Sequence, residues 1–211
     1  MKKRTENLSH SEIKKRVLEI AQEQFFSTGF KNITMEDFAR KLGMSKKTIY
    51  KHFSSKEDLI KKVTLNMIEE MSKKAIEIQS NKKIDFVERL KMLTTCLAEK
   101  MQCLKPAFFF DVQKNMPELW KHIEEFRKQN ILTHFAHFVE EGIEKGIFRK
   151  DVNKEVFVMM YANSMQSILN PEIIAQLPLS ASQVYEMIIT IFFEGLFTEN
   201  ARNKYKIKNK R

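Results

Sequence analysis

Twenty residues, Thr34 to Phe53 (TMEDFARKLGMSKKTIYKHF), constrain this chain more than any other stretch, because they put two helix starts and a turn into a very short span. Thr34 and Asp37 have the spacing of a capping box, with Asp in place of the usual Glu. Phe38, Ala39 and Leu42 then fall on one helical face. Gly43 supplies the left-handed backbone that a helix stop needs, Met44 plugs the turn, and Ser45 starts a second helix. Ile49 and Phe53 share the inward face of that helix. Lys47 and Lys51 project from the other face, flanked by Thr48 and Tyr50, with Ser45 and Lys46 at the N-terminal end. A helix-turn-helix follows, and its outward face is cationic and rich in hydrogen-bonding groups. A helix this short fits a DNA major groove, about 12 Å wide. The competing reading is a solvated lysine face on an ordinary helical pair.

The charge distribution favours the first reading. Residues 1–62 hold 15 Lys or Arg against 8 Asp or Glu, a net of +7. Residues 63–201 hold 16 against 19, a net of −3, and the last ten residues (RNKYKIKNKR) hold six basic groups and no acid. A basic head on a faintly acidic body suits a module that meets phosphate while the rest of the chain does something else. The basic tail reads as a solvating end, with direct DNA contact as the alternative.

Only five Gly and four Pro interrupt the 211 residues, and apolar residues recur at helical rather than alternating spacing, so an all-α fold of about nine helices is expected. Ser9 and Glu12 open the first helix, with Ile13, Val17, Ile20, Ala21 and Phe25 on one stripe and Gly29 at its end. Ser54 or Ser55 caps a long helix that starts with Lys56 and runs to about Gln79. A lysine at a helix start is unfavourable unless an anion sits there, which makes Lys56 a candidate phosphate contact. Further helices are expected over 84–104, from Pro117 to Gly142–Gly146, over 152–170 and over 182–200, with a short element over 107–115 after Pro106. Three parts are expected: a helix-turn-helix DNA-binding domain (1–54), a helical body (55–201), and the basic tail (202–211).

The run VLEIAQEQFFSTGFKNITMEDFARKLGMSKKTIYKHFSSKEDLI resembles the DNA-binding domain of the TetR family of bacterial transcriptional regulators. Ala21, Phe25, Gly29, Phe30, Thr34, Ala39, Gly43, Ser45, Tyr50, His52, Phe53, Lys56 and Leu59 stand at that family's relative spacing. The resemblance implies that Thr34, Tyr50, His52 and Lys56 hold the DNA backbone. It also implies that Lys46, Lys47 and Lys51 approach bases, with Ser45 and Thr48 beside them. Lys47 departs from the pattern, where a small residue or Pro is usual, and Phe38 replaces a smaller aliphatic residue. The segment PAFFFDVQKNMPELW stands where the family has a short helix that transmits ligand binding to the head.

The resemblance further implies an inducer cavity in the body. Phe86, Leu90, Phe109, Met116, Trp120, Phe135, Met159, Met160 and Phe193 would supply apolar lining, and Tyr161, Asn163 and Gln166 polar anchors. The last two long helices are apolar nearly all round and therefore need more than one partner. In the family such a pair forms a four-helix dimer interface, which would use Val156, Ile168, Val184, Met187, Ile188, Ile191 and Gly195.

Other chemistry is not expected. No paired carboxylates, nucleophile with base, Gly-rich phosphate loop or zinc spacing occurs, so the chain is not read as an enzyme and no cofactor is expected. His134, His137 and Glu141 share a helical face, but solvated histidines are expected there rather than a metal site. Cys96 and Cys103 lie seven residues apart on one helix, about 10 Å by helical rise, too far for a disulfide, and read as reduced, buried thiols. There is no secretory signal and no run of apolar residues long enough for a membrane span. The expected protein is thus a cytoplasmic homodimer that binds a palindromic double-stranded operator as a repressor and is released by a largely apolar small molecule. The alternative is a helical small-molecule-binding or protein-interaction protein with a basic solubilising head.

Overall fold

The computed structural model describes residues 9–202, so the basic tail from residue 203 onward lies outside the described residues. Eleven α-helices occur among them, two more than expected. They are α1 (His10–Thr28), α2 (Met35–Leu42), α3 (Lys46–Tyr50), α4 (Lys56–Ser80), α5 (Phe86–Cys103) and α6 (Pro106–Asn115), followed by α7 (Pro117–Asn130), α8 (Ala136–Glu144), α9 (Lys154–Ile168), α10 (Pro171–Ile174) and α11 (Ala181–Leu196). The helix begun by Pro117 is divided by a π-turn at Ile131–Phe135, which accounts for α7 and α8. Pro171, at the first position of α10, nucleates a single helical turn inside the expected loop. No strand forms among the described residues, apart from one isolated antiparallel bridge between Phe148 and Phe197.

The chain forms two compact units. The first comprises Met1–Glu70 and Cys103–Leu119, and the second Met71–Gln102 and Trp120–Arg211. The first therefore extends past residue 54 and takes in α6, and α4 contributes residues to both.

In the first unit the local signals act as their chemistry dictates. Ser9 with Glu12 and Thr34 with Asp37 close reciprocal capping boxes on α1 and α2. Gly43 turns left-handed at φ 64°, and Ser45 caps α3 by accepting from the Thr48 amide at 3.1 Å. Ser55 rather than Ser54 caps α4, accepting from the Asp58 amide at 3.0 Å. Phe25, Phe38, Ile49, Phe53, Leu59 and Phe108 are completely buried in this unit's core, each side chain contributing roughly 1.5–3 kcal/mol. Phe25 and Phe38 meet edge to face at 5.1 Å, so the aromatic at position 38 fills the core.

The second unit is organised by packed aromatic rings: Phe86 stacks on Phe138 at 4.5 Å and Phe135 lies tilted against Tyr161 at 4.6 Å. A Cβ on Gly142 would run into the Phe148 ring, so that glycine is what allows the ring in. After Leu196 the chain leaves the helix at Phe197 (φ −62°, ψ 140°). It pairs there with the segment after α8, through Arg149 N to Leu196 O and Thr198 N to Ile147 O, both 2.9 Å. The last helix is therefore shorter than its apolar pattern suggests, because these residues are buried by an extended pairing instead.

Candidate nucleic-acid interface

The face of α3 opposite Ile49 is solvent-exposed, since Ile49 and Phe53 hold the other face in the core. Lys47 and Lys51 both lie on the exposed side, with no ion-pair partner among the described residues. Tyr50 is exposed to 47%, a large aromatic left in water beside them. Lys46 is exposed as well, but its ammonium pairs with Glu36 of α2 at 2.7 Å, which raises the lysine and lowers the carboxylate. An ion pair so open to water holds weakly, so Lys46 can exchange Glu36 for another anion at little cost.

The hydroxyls of the expected set are already engaged. Thr34 Oγ1 donates to Asp37 Oδ2 at 2.7 Å while accepting from the Asp37 amide, and Ser45 Oγ and Thr48 Oγ1 share a hydrogen bond of 2.9 Å. Such bonds orient the groups toward the helix ends.

His52 and Lys56 have more complex surroundings. The half-buried His52 ring lies 4.0 Å from that of His10, the first residue of α1. Burial first, then His10, Lys14 and Lys51, push the His52 pKa down from its ordinary value. Lys56 stands over the Phe30 ring at 5.9 Å, and its Nζ reaches the Lys31 carbonyl at 3.4 Å. Burial lowers its pKa, against the pull of Glu57, Asp111 and Asp37. Lys31, Thr34, Lys46, Tyr50, Ser55 and Lys56 ring a hollow between the starts of α2, α3 and α4.

Two contributors to this surface escaped the sequence reading. His10 carries only the weak signal of an aromatic next to a capping serine. Asp111, on α6, carries none: it is 81 residues from Phe30, yet its Oδ2 accepts from the Phe30 amide at 2.6 Å and the Lys31 amide at 2.8 Å. Around that clamp, the Lys105 amide donates to Phe26 O at 2.9 Å, and Phe108 packs on Phe26 at 4.8 Å. The aromatic helix of the PAFFFDVQKN segment is thereby fastened to the loop that leads into the helix-turn-helix.

The other expected sites are placed as follows. Phe86, Leu90, Phe135, Tyr161 and Phe193 lie in the core of the second unit, and Trp120 is buried. Gln166 is half-buried and Asn163 exposed, while Phe109 and Met116 are half-buried in the first unit. Met159 and Met160 do not face inward: they are exposed to 51% and 57%. They join Val156 of α9 and Met187 and Ile191 of α11, exposed to 49%, 52% and 69%, as large apolar side chains left in water. Gly195 is also open, Ile168 half-buried, and Val184 and Ile188 buried in the core instead. Glu141 is engaged by Arg89, Lys82 and Lys145, and His137 is exposed beside Glu140 at 3.7 Å. Cys96 is half-buried and Cys103 exposed, both free, so neither is the buried thiol expected. No helix among the described residues is long and apolar enough to cross a membrane.

A capped helix-turn-helix with a free cationic face, built into one unit of an otherwise helical chain, defines the class of helix-turn-helix transcriptional regulators. Residues 17–63 match the family model of bacterial regulatory proteins of the tetR family. The chain is 28% identical over 165 residues to the uncharacterized HTH-type transcriptional regulator YvaF of Bacillus subtilis, covering 78% of this chain and 86% of that protein. In structure it is similar to the ketosteroid transcriptional regulator KstR2 of Mycobacterium tuberculosis, with a TM-score of 0.57 at 22% identity, over 93% of this chain and all of that one. It is also similar to a transcriptional regulator from Saccharomonospora viridis solved in complex with choline, with a TM-score of 0.68 at 18% identity, covering 90% of this chain and 100% of that one. The match places a tetR-family regulatory domain at residues 17–63, and the likeness to the solved structures extends to the fold of nearly the whole chain.

Proposed function

We propose that the chain is a repressor that binds a two-fold operator as a homodimer and releases it when a small molecule binds the second unit. The observation that carries this reading is the pair of exposed lysines, Lys47 on α3 and Lys51 just after it, which have no ion-pair partner among the described residues and are held outward by the burial of Ile49 and Phe53. Docked in a major groove, this face would bring Lys47 and Lys51 to base edges, where lysine favours guanine acceptors. Tyr50, His52 and Lys56, with the start of α2 at Thr34, would meet the flanking phosphates. The apolar strip of Val156, Met159, Met160, Met187 and Ile191 supports the dimer, because water is a poor neighbour for so many large apolar side chains together. Two heads on a two-fold axis would read half-sites about 34 Å apart or somewhat more. Effector binding would act through α4, and a coupling of about 1–3 kcal/mol would weaken operator binding about 5- to 150-fold.

Selection of bound duplexes from a random pool, followed by titration at two salt concentrations, tests this. Affinity that falls steeply with salt and a selected palindrome are expected. Salt-insensitive, sequence-blind binding would favour the alternative of a small-molecule binder with a solubilising head. Tyr50→Ala is expected to weaken binding to every sequence by a similar factor, since a backbone contact positions without reading. Lys51→Ala should relax the preference at one operator position by about 1–3 kcal/mol, and an unaltered selected sequence would remove Lys51 from the reading set.

A further inference from the structure

Two imidazoles meet at the edge of the candidate interface. His10, the first residue of α1, and His52, just after α3, have ring centroids 4.0 Å apart and planes tilted by 33°. His10 is exposed and His52 half-buried, its other side turned to the Phe53 ring at 6.5 Å. Nδ1 of His52 is buried without a hydrogen-bond partner among the described residues, so no carbonyl or carboxylate of the protein holds a proton there. The titratable and charged groups that act on His52 are all basic: His10 and Lys14 from α1, and Lys51 from the end of α3. Glu12, the acid nearest to His10 in sequence, is committed elsewhere, its carboxylate accepting from the Ser9 amide at 2.7 Å.

This corner of the first unit gathers four basic side chains and supplies no counter-charge of its own. An imidazole ordinarily titrates near 6.5, and burial together with basic neighbours favours its uncharged form. A phosphodiester brought to the same place acts in the opposite sense, because an anion beside the rings favours the charged form. Lys51, one of the neighbours, lies on the face proposed to enter the groove, so a docked duplex would bring its backbone to the rings. Two ring edges this close can turn toward one phosphate, and a charged donor makes the stronger hydrogen bond to it.

We propose that His10 and His52 form a joint contact for one backbone phosphate, and that the pair takes up a proton from solvent as the duplex docks. The proposal rests on reading α3 as the groove-docking element, and it adds His10 to the contact set. The proton belongs to the pair, since the two rings titrate together at this distance. A pair whose pKa is higher in the complex than in the free protein binds a proton on docking. Affinity therefore rises as the pH falls and levels off below the free protein's value.

The test uses the full chain with a pool of random-sequence duplexes of about 30 base pairs, since a phosphate contact positions without reading sequence. Affinity is measured at fixed salt between about pH 6 and pH 8 for the wild type, His10→Gln, His52→Gln and, as a control, His134→Gln, an exposed histidine of the second unit. Chemical shifts of labelled histidine rings are followed over the same range with and without duplex. The wild type is expected to bind at least about threefold tighter per head at the lower pH, against a ceiling of about tenfold for each pKa unit gained. His52→Gln should weaken binding throughout and flatten the slope. His10→Gln should flatten it too, with the larger loss at the lower pH, while His134→Gln keeps the wild-type slope. The resonances of His10 and His52 should titrate at higher pH in the complex. A slope that survives His10→Gln, or resonances that titrate alike with and without duplex, would overturn the proposal and leave the ring contact as a tie between α1 and the end of α3. Binding that falls with salt but ignores pH would overturn it while the groove-docking reading stands. No duplex bound at any pH would remove both.

Discussion

Glu141→Ala is expected to destabilise the second unit by about 3–5 kcal/mol, the range for breaking one side of a buried ion pair. The reason lies in what remains. Arg89 is 1% exposed, and without Glu141 its charge would keep only the Gln79 carbonyl and the faces of Phe86 and Phe138. Its Nε already lacks a hydrogen-bond partner. Lys82, at 2.5 Å from Glu141, can turn to water, because its side chain is 66% exposed; Arg89 has no such escape. Urea unfolding followed through Trp120, the one tryptophan, reports on this unit. The double variant Arg89→Met/Glu141→Ala should recover most of the loss, since an apolar side chain of similar length removes the orphaned charge. A loss under about 1 kcal/mol for the single variant, or a double variant as unstable as the single, would refute the argument.

The same pair sets an acid sensitivity. Burial pushes the Glu141 carboxyl up, but hydrogen bonds from Arg89 and Lys82 outweigh it, and the net shift is downward from 4.5. A depressed folded-state value means that this stabilisation is fully present above the ordinary glutamate range. It is lost as the pH falls through the depressed value.

What could be read from the chain alone was local. The capping pairs Ser9 with Glu12 and Thr34 with Asp37, the left-handed Gly43 and the inward Ile49 and Phe53 all depend on residues within a turn or two of each other. The whole cationic face of α3 was legible for that reason. Features that depend on distant partners were not. The end of α11 at Leu196 is set by pairing with the Phe148 segment. Met159 and Met160 could not be told from lining residues, because α9 is apolar nearly all round and periodicity cannot choose a face for such a helix. Arg89, which is buried against Glu141, and Arg127, which is part-buried and donates to the Met165 carbonyl, look alike in sequence, since only the fold decides which one meets a carboxylate.

Asp111→Ala should have the second-largest effect, about 2–3 kcal/mol on the stability of the first unit, together with weaker operator binding. Hydrogen bonds to a charged group are each worth about 1.5–3 kcal/mol, and Asp111 accepts two. The full sum is not expected, because the Lys31 amide lies at an exposed residue and can turn to water. The binding loss follows from what hangs on the loop: Lys31 O holds the Lys56 ammonium, and Lys56 also rests on the Phe30 ring. Freeing Phe30 and Lys31 therefore loosens the lysine proposed to grip phosphate. Asp111→Asn, which keeps an acceptor of the same shape, should retain roughly half of the stability. Gly29→Ala reaches the same end from the other side. Gly29 sits at φ 75°, and a Cβ there would come within 2.5 Å of Asp111 Oδ2, so the carboxylate must leave its two amides. Amide hydrogen exchange at Phe30 and Lys31 checks the mechanism: both should exchange faster in Asp111→Ala and Gly29→Ala, and operator affinity should fall in step. Unchanged exchange with weakened DNA binding would mean that Asp111 acts on the operator by some route other than this loop.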